Sequence, residues 1–115
     1  MSVKFNTRQI GDVVVVDAGG RIVVDRTART LGDAIRELMG TGHLKVVVNL
    51  ADVSYIDSAG VGELVATLTS IINRGGSMKL LNANERMRNI LRVTKLHAVF
   101  QIFDDEATAV SSFVG

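Results

Sequence analysis

The stretch Leu44-Lys45-Val46-Val47-Val48-Asn49-Leu50 decides the predicted fold. Three consecutive β-branched residues favour an extended strand, and an apolar run without alternation is typical of a strand covered on both faces. Such strands occur in parallel sheets that carry helices on both sides. We therefore predict that residues 44–50 form the central strand of a mainly parallel sheet.

The segment after this strand predicts an amphipathic helix. Its apolar side chains recur at helical spacing and form one stripe. They are Val61, Leu64, Val65, Leu68, Ile71 and Ile72. The stripe stops at Arg74-Gly75-Gly76, where glycine favours the end of a helix.

The segment upstream of the central strand predicts a β-hairpin followed by a helix. Apolar and polar residues alternate over residues 3–8, and Ile10-Gly11-Asp12-Val13 is typical of a tight turn into an apolar strand. Helical spacing over residues 27–39 ends at Gly40-Thr41-Gly42.

The segment downstream continues the alternation of strands and helices. Residues 78–81 and 100–103 predict short strands. Asn84 is a candidate N-cap of a third helix, and Asp104-Asp105-Glu106 begins a fourth, where the helix dipole favours negative charge. The order β-β-α-β-α-β-α-β-α predicts an α/β domain with a mixed, mainly parallel sheet, an N-terminal hairpin and about four packed helices.

Length and composition predict a single domain over residues 1–115. A chain of 115 residues lies within the usual size of one domain, and 47% hydrophobic with 22% charged residues is typical of a folded protein. A net charge of +1 provides no large field toward nucleic acid or an anionic membrane. The N-terminus lacks the charged start and apolar block of a signal peptide, so we expect a cytoplasmic protein.

Composition also argues against metal, cofactor and thiol chemistry. The chain has no cysteine, which removes disulfides, thiol catalysis and Cys-ligated metals. Its two histidines, His43 and His97, have no acidic or histidine neighbour at metal-ligand spacing. We therefore predict no metal site and no bound cofactor.

The candidate functional segment leaves the central strand and enters the second helix, which is the usual position of a site in an open parallel sheet. It contains Asp57 and Ser58, followed by residues with little or no side chain. By its local chemistry the Ser58 hydroxyl is an N-cap, a phosphate acceptor or a nucleophile. The N-cap is favoured because Asp and Ser are common capping residues.

Two catalytic interpretations of this segment are weak. A nucleophile needs a base, and neither histidine has an assigned route to Ser58; the glycine two residues before a nucleophile-elbow serine is also missing. A dinucleotide site would need glycine at position 65, where the chain has Val65. The interpretation of Ser58 as a phosphate acceptor stays open, because the start of a helix attracts anions, although Asp57 would repel the phosphate.

The run Tyr55-Ile56-Asp57-Ser58-Ala59-Gly60-Val61-Gly62-Glu63-Leu64 resembles the signature of the STAS domain, as found in bacterial anti-sigma factor antagonists. The resemblance covers essentially the whole chain. Comparable features of that family fall at Gly20-Arg21-Ile22, at Val46-Val47-Val48-Asn49-Leu50 and at Arg74-Gly75-Gly76.

The resemblance implies partner switching without catalysis by the chain itself. In that family the unphosphorylated antagonist binds an anti-sigma factor that is also a serine kinase of the histidine-kinase-like ATPase fold, and so frees a sigma factor. The kinase phosphorylates the first serine of the signature, which is Ser58 here. A metal-dependent serine phosphatase restores binding, and no direct contact with nucleic acid or membrane is implied.

The resemblance places partner binding on the signature and on an acidic position after the second strand. The candidate residues are Asp57, Ser58, Ala59, Gly60, Val61, Gly62 and Asp25. Many members have a Gly-Glu-Leu-Asp-like run where this chain reads Gly20-Arg21-Ile22-Val23. Whether Asp25 replaces the usual acidic residue is left open. Gly60 and Gly62 are expected to permit close approach of the partner.

Other functions stay open as alternatives. The main one is a scaffolding or sensory-complex STAS protein without direct sigma-factor control, and an enzyme or nucleotide-binding protein is a weaker one. Six basic residues follow the second helix and have two interpretations, a surface for nucleic acid or an acidic partner and a solvated helix face. The solvated face is favoured because no aromatic residues lie among them and the net charge of the chain is nearly zero. The six basic residues are Arg74, Lys79, Arg86, Arg88, Arg92 and Lys95.

Overall fold

The predicted valine strand lies at the middle of a five-stranded sheet in a computed structural model of the chain, which describes residues 4–23 and 30–113. The strands are β1 (Lys4–Ile10), β2 (Val13–Ile22), β3 (Lys45–Ile56), β4 (Ser77–Leu81) and β5 (Ile102–Phe103). The helices of these residues are α1 (Leu31–Gly40), α2 (Ser58–Asn73), α3 (Glu85–Val93) and α4 (Glu106–Ser111), with a 3-10 turn at Leu96–Ala98.

The strands lie in the sheet in the same order as in the chain. β1 and β2 are antiparallel, and the three other neighbouring pairs are parallel. In β3, Val46, Val47 and Val48 are each 0% exposed. The predicted element order, the N-terminal hairpin and the mainly parallel sheet are confirmed.

Two hydrophobic clusters cover the two faces of the sheet. Alternate residues of a strand face opposite sides, so Val46 and Val48 pack with α1, α2 and α3, while Val47 packs with Ala109 of α4. The predicted stripe of α2 supplies four of the buried side chains on the larger side: Val61, Leu64, Leu68 and Ile71. Ile72, which was also assigned to that stripe, is exposed.

β3 is longer than predicted, because it continues past Leu50 to Ile56. β4 pairs with it only as far as Asn49, whereas β2 follows it to its end, with Ile22 opposite Ile56. Register shifts between β2 and β3 accommodate the extra length. The predicted end of the strand at Leu50 is wrong because the second half of β3 depends on pairing with a segment distant in the sequence.

α1 begins at Leu31 rather than at the predicted residue 27. Thr30 has extended backbone angles, its side chain accepts a hydrogen bond from the Asp33 N–H at 3.1 Å, and the Asp33 side chain accepts one from the Thr30 N–H at 3.1 Å. This capping box marks the start of the helix. Residues 3 and 27–29 of the predicted elements, and the candidate contact Asp25, lie outside the described residues.

The end of α2 fits closely against the start of β3. Gly75 has a φ of +85°, and the N–H groups of Gly75 and Gly76 donate to the carbonyls of Ile72 and Ile71 at 2.9 and 2.8 Å. This is a Schellman motif, so the predicted stop is confirmed. A Cβ at position 76 would collide with the Leu44 carbonyl, which accounts for the second glycine.

Lys79 of β4 is buried, so it does not belong to the predicted solvated face. It is 7% exposed, and its Nζ donates to the Ser112 carbonyl at 3.1 Å and hydroxyl at 2.7 Å. The same atom lies 4.4 Å from the centre of the Phe113 ring. Burial lowers the pKa of Lys79 below its ordinary value of 10.5.

We expect Lys79→Met to remove a pH dependence from the stability of the fold. Because the pKa of Lys79 is lower in the folded than in the unfolded chain, the unfolded state binds more protons, and stability should rise with pH up to about 10.5. The wild type should therefore gain unfolding free energy relative to Lys79→Met as the pH rises. Urea unfolding of both proteins at about pH 7, 8.5 and 10 measures this. Lys4→Met, at an exposed residue, controls for the lost charge, and a stability difference independent of pH would contradict the expectation.

Candidate functional site

The candidate segment ends β3 and begins α2 with an aspartate cap. Asp57 has extended backbone angles, and its Oδ1 accepts a hydrogen bond from the Gly60 N–H at 2.7 Å. Ser58 is the first residue of the helix. The cap interpretation of Ser58 is therefore wrong by one residue, since Asp57 satisfies the free N–H group instead.

The Ser58 side chain is exposed at the start of α2. Within residues 4–23 and 30–113, its hydroxyl has no hydrogen-bond partner. A hydroxyl that neither caps the helix nor supports a neighbouring element is accessible to a modifying enzyme without loss of a structural contact. Ala59 and Gly62, two further candidate contacts, are exposed beside it.

The first turn of α2 lies directly against the ends of β2 and β3. Gly60 is buried, and a Cβ at this position would collide with the Ile22 carbonyl oxygen and lie 3.0 Å from Cγ1 of Ile56. Gly62 has no atom within 4 Å of the corresponding position. Internal packing therefore accounts for Gly60, whereas the structure gives Gly62 no packing role.

A groove of about 410 Å³ separates the start of α2 from α3. β3 and β4 are neighbouring parallel strands, so the helices that follow them begin at the same edge of the sheet. Ile56, Val61 and Ile90 give the groove an apolar wall, and polar and charged side chains complete its lining. Its lining includes Tyr55, Ser58, Val61, Arg86, Ile90 and Thr94.

Two contacts fix the sides of the groove. The guanidinium of Arg21 lies 4.6 Å from the centre of the Tyr55 ring, a cation–π contact that holds the half-buried ring at the groove. Asn84 caps α3 by accepting from the Met87 N–H at 2.8 Å, as predicted, and its side-chain amide donates to the Val53 carbonyl at 3.3 Å. The start of α3 is thereby attached to β3.

Arg86 is the residue of this site that sequence reasoning misses. It is exposed, lines the groove with Ser58, and has no carboxylate partner among the described residues. The other helix arginines nearby are engaged, Arg88 with Asp104 and Arg92 with the Asn89 side chain. The sequence groups Arg86 with five other basic residues, but the pairing of β3 with β4 brings the start of α3 beside α2, so that Arg86 lines the groove.

Glu63 of the signature connects α2 to α1. Its Oε1 accepts a hydrogen bond from the Gly32 N–H, in the first turn of α1, at 2.7 Å. Carboxylates at a helix start are favoured by the helix dipole. A Cβ at Gly32 would lie 2.5 Å from the same oxygen, so a side chain there would require the Glu63 side chain to shift.

Residues 4–23 and 30–113 contain no cluster of three or more His, Cys, Asp or Glu side chains placed to hold a metal ion. No helix among them is both long enough and apolar enough to cross a membrane.

The STAS domain family matches residues 4–109 of the chain. An anti-sigma-B factor antagonist of Bacillus subtilis is 31% identical over 102 residues, which are 89% of this chain and 92% of that protein. One from Staphylococcus epidermidis is 30% identical over 110 residues, or 96% and 99% of the two chains. The crystal structure of a candidate anti-sigma factor antagonist from Thermotoga maritima has a TM-score of 0.85 and 27% identity, covering 94% of this chain and 92% of that chain.

We expect Gly60→Ala and Gly62→Ala to change stability in opposite directions. The methyl group at position 60 meets a backbone carbonyl, and overpacking of this kind costs about 1 to 3 kcal/mol. The methyl group at position 62 meets nothing within 4 Å, and alanine is about 1 kcal/mol better than glycine inside a helix. Urea unfolding of both variants measures the difference. Equal stability of the two would contradict the packing role of Gly60.

We also expect the cap to be sensitive to substitution and the serine to be tolerant. Asp57→Ala removes the acceptor of the Gly60 N–H and should cost about 1 kcal/mol. Ser58→Ala removes a hydroxyl without a described partner and should stay within about 0.5 kcal/mol of wild type. Thermal melts compare the stability of the two variants. A larger loss of stability for Ser58→Ala than for Asp57→Ala would indicate that Ser58 is the cap.

Proposed function

Because this chain belongs to the STAS domain family, we propose that it is an anti-sigma factor antagonist gated by phosphorylation of Ser58. In its unphosphorylated form it sequesters an anti-sigma factor and thereby frees a sigma factor. The observation that carries the proposal is the exposed Ser58 hydroxyl, without a described partner, at the edge of a groove with an apolar wall. The similarity to anti-sigma-B factor antagonists of Bacillus subtilis and Staphylococcus epidermidis supports the same role.

The proposed partner is an anti-sigma factor that is also a serine kinase of the histidine-kinase-like ATPase fold. It would contact the exposed residues around Ser58 and place apolar side chains in the groove, against Val61 and Ile90. Asp25 stays a candidate contact. A metal-dependent serine phosphatase would reverse the modification, and the chain itself would act as a binding module without catalysis.

The physical basis of the proposed switch is the charge of a phosphate in a desolvated contact. Phosphoserine carries about −1.5 to −2 charges at neutral pH, and burying that charge against a partner without compensation is costly. A difference of about 3 kcal/mol lowers affinity roughly a hundredfold. One phosphate is therefore sufficient to release the partner.

The fold tolerates the modification because the cap and the proposed switch are different residues. Asp57 keeps its hydrogen bond to the Gly60 N–H whatever Ser58 carries. Negative charge at the first residue of a helix is favoured by the helix dipole. Phosphorylation is thus proposed to change the surface of the protein and to leave α2 folded.

We expect Ser58→Ala to bind the kinase and Ser58→Asp to bind it at least about tenfold more weakly, because only the second substitution places charge in the contact. Isothermal titration against the kinase measures both affinities, and thermal melts establish that both variants are folded. Thr69→Asp, at an exposed residue of the same helix, is the matched control and should bind as wild type.

A carboxylate has less charge than a phosphate, so the test also uses protein that the kinase has phosphorylated. Its phosphorylation site and its affinity for the kinase are both measured. Mass spectrometry should find the phosphate on Ser58. Phosphate on Ser54 or Thr67 with Ser58 unmodified would refute the assignment, as would wild-type affinity of the Ser58-phosphorylated protein. A large assembly on sizing, without kinase binding, would favour the scaffolding alternative.

A further inference from the structure

Ser58 and Arg86 are brought together by topology. Ser58 is the first residue of α2 and Arg86 is the second residue of α3, and both helices follow neighbouring parallel strands. Both side chains line the same groove. The chain therefore places a candidate phosphate acceptor and a guanidinium in the lining of one groove.

Arg86 has no anionic partner among the described residues, unlike Arg8 and Arg88. Arg8 contacts both Asp17 and Glu106 at 2.5 Å, and Arg88 contacts Asp104. Arg86 is exposed and its side chain has three rotatable methylenes, so its guanidinium can change position without breaking an ion pair. A guanidinium in this position is available to a new anion.

Such a cation would stabilise a phosphate on Ser58 beyond the effect of the helix dipole. The neighbouring Asp57 carboxylate lines the same groove and repels the phosphate, and the Gly60 N–H of the helix start is already occupied by Asp57. Arginine binds phosphate through two parallel charge-assisted hydrogen bonds, which are among the strongest in proteins.

We propose that Arg86 is the internal counter-ion of phosphorylated Ser58, forming an ion pair that joins the start of α2 to the start of α3. This inference rests on the proposed phosphorylation of Ser58 and adds its structural consequence. In the unphosphorylated protein the groove is open between the two residues. In the phosphorylated protein the pair bridges the groove, so the partner loses access to the apolar wall as well as meeting a charge.

The test uses the full chain with phosphoserine incorporated at position 58 during translation, so that it needs no kinase. The second pKa of the phosphate, ordinarily about 6, is measured by phosphorus NMR in three backgrounds: wild type, Arg86→Gln and Arg92→Gln. Arg92 is an exposed arginine of the same helix that does not line the groove, which makes it the matched control.

We expect the pKa of the phosphate to be lower in wild type than in Arg86→Gln by about half a pH unit or more, because a nearby cation favours the dianion. Arg92→Gln should match wild type. Arg86→Lys, which keeps the charge without the paired donors, should fall between wild type and Arg86→Gln. Melts of the unphosphorylated variants establish that each is folded.

Equal titration of the phosphate in wild type and Arg86→Gln would overturn the ion pair and leave the proposed switch intact. So would an equal effect of Arg92→Gln, which would indicate only the general charge of α3. Failure of a kinase to bind the chain or to modify Ser58 would instead count against the proposed function, whatever the titration shows. The two failures are therefore distinguishable.

Discussion

The close approach of Gly60 to the Ile22 carbonyl is the constraint on which the site depends. A side chain at this position would displace the first turn of α2 from the ends of β2 and β3. With glycine there, Asp57 can cap the helix at the edge of the sheet, and Ser58 is exposed one residue later. The position of the hydroxyl is thus a consequence of backbone packing beneath it.

Much of the fold follows from local patterns in the sequence. The valines of β3 predict a buried strand and the apolar stripe of α2 predicts an amphipathic helix, because the spacing of apolar residues indicates which faces are buried. The end of β3 could not be predicted in the same way. Residues 51–56 are extended because they pair with the second half of β2, and that pairing joins segments more than thirty residues apart.

In the candidate site, too, local patterns predict some features and tertiary contacts determine the others. Asp57 and Ser58 are adjacent, both are capping residue types, and only the geometry of the first turn decides between them. Lys79 is buried by Ser112 and Phe113, which come from the far end of the chain. Arg86 belongs to the site because β4 lies beside β3 in the sheet. Each of these results depends on tertiary contacts that no local pattern contains.

The contact between Glu63 and Gly32 has an evolutionary consequence. A Cβ at position 32 would lie 2.5 Å from the Glu63 carboxylate oxygen, so a side chain there would move that carboxylate from its hydrogen bond to the Gly32 N–H. In homologous chains a larger residue at position 32 should accompany a shorter or uncharged residue at position 63, and glycine should accompany glutamate. Paired substitution at these two positions would indicate that their contact maintains the position of α1 relative to α2.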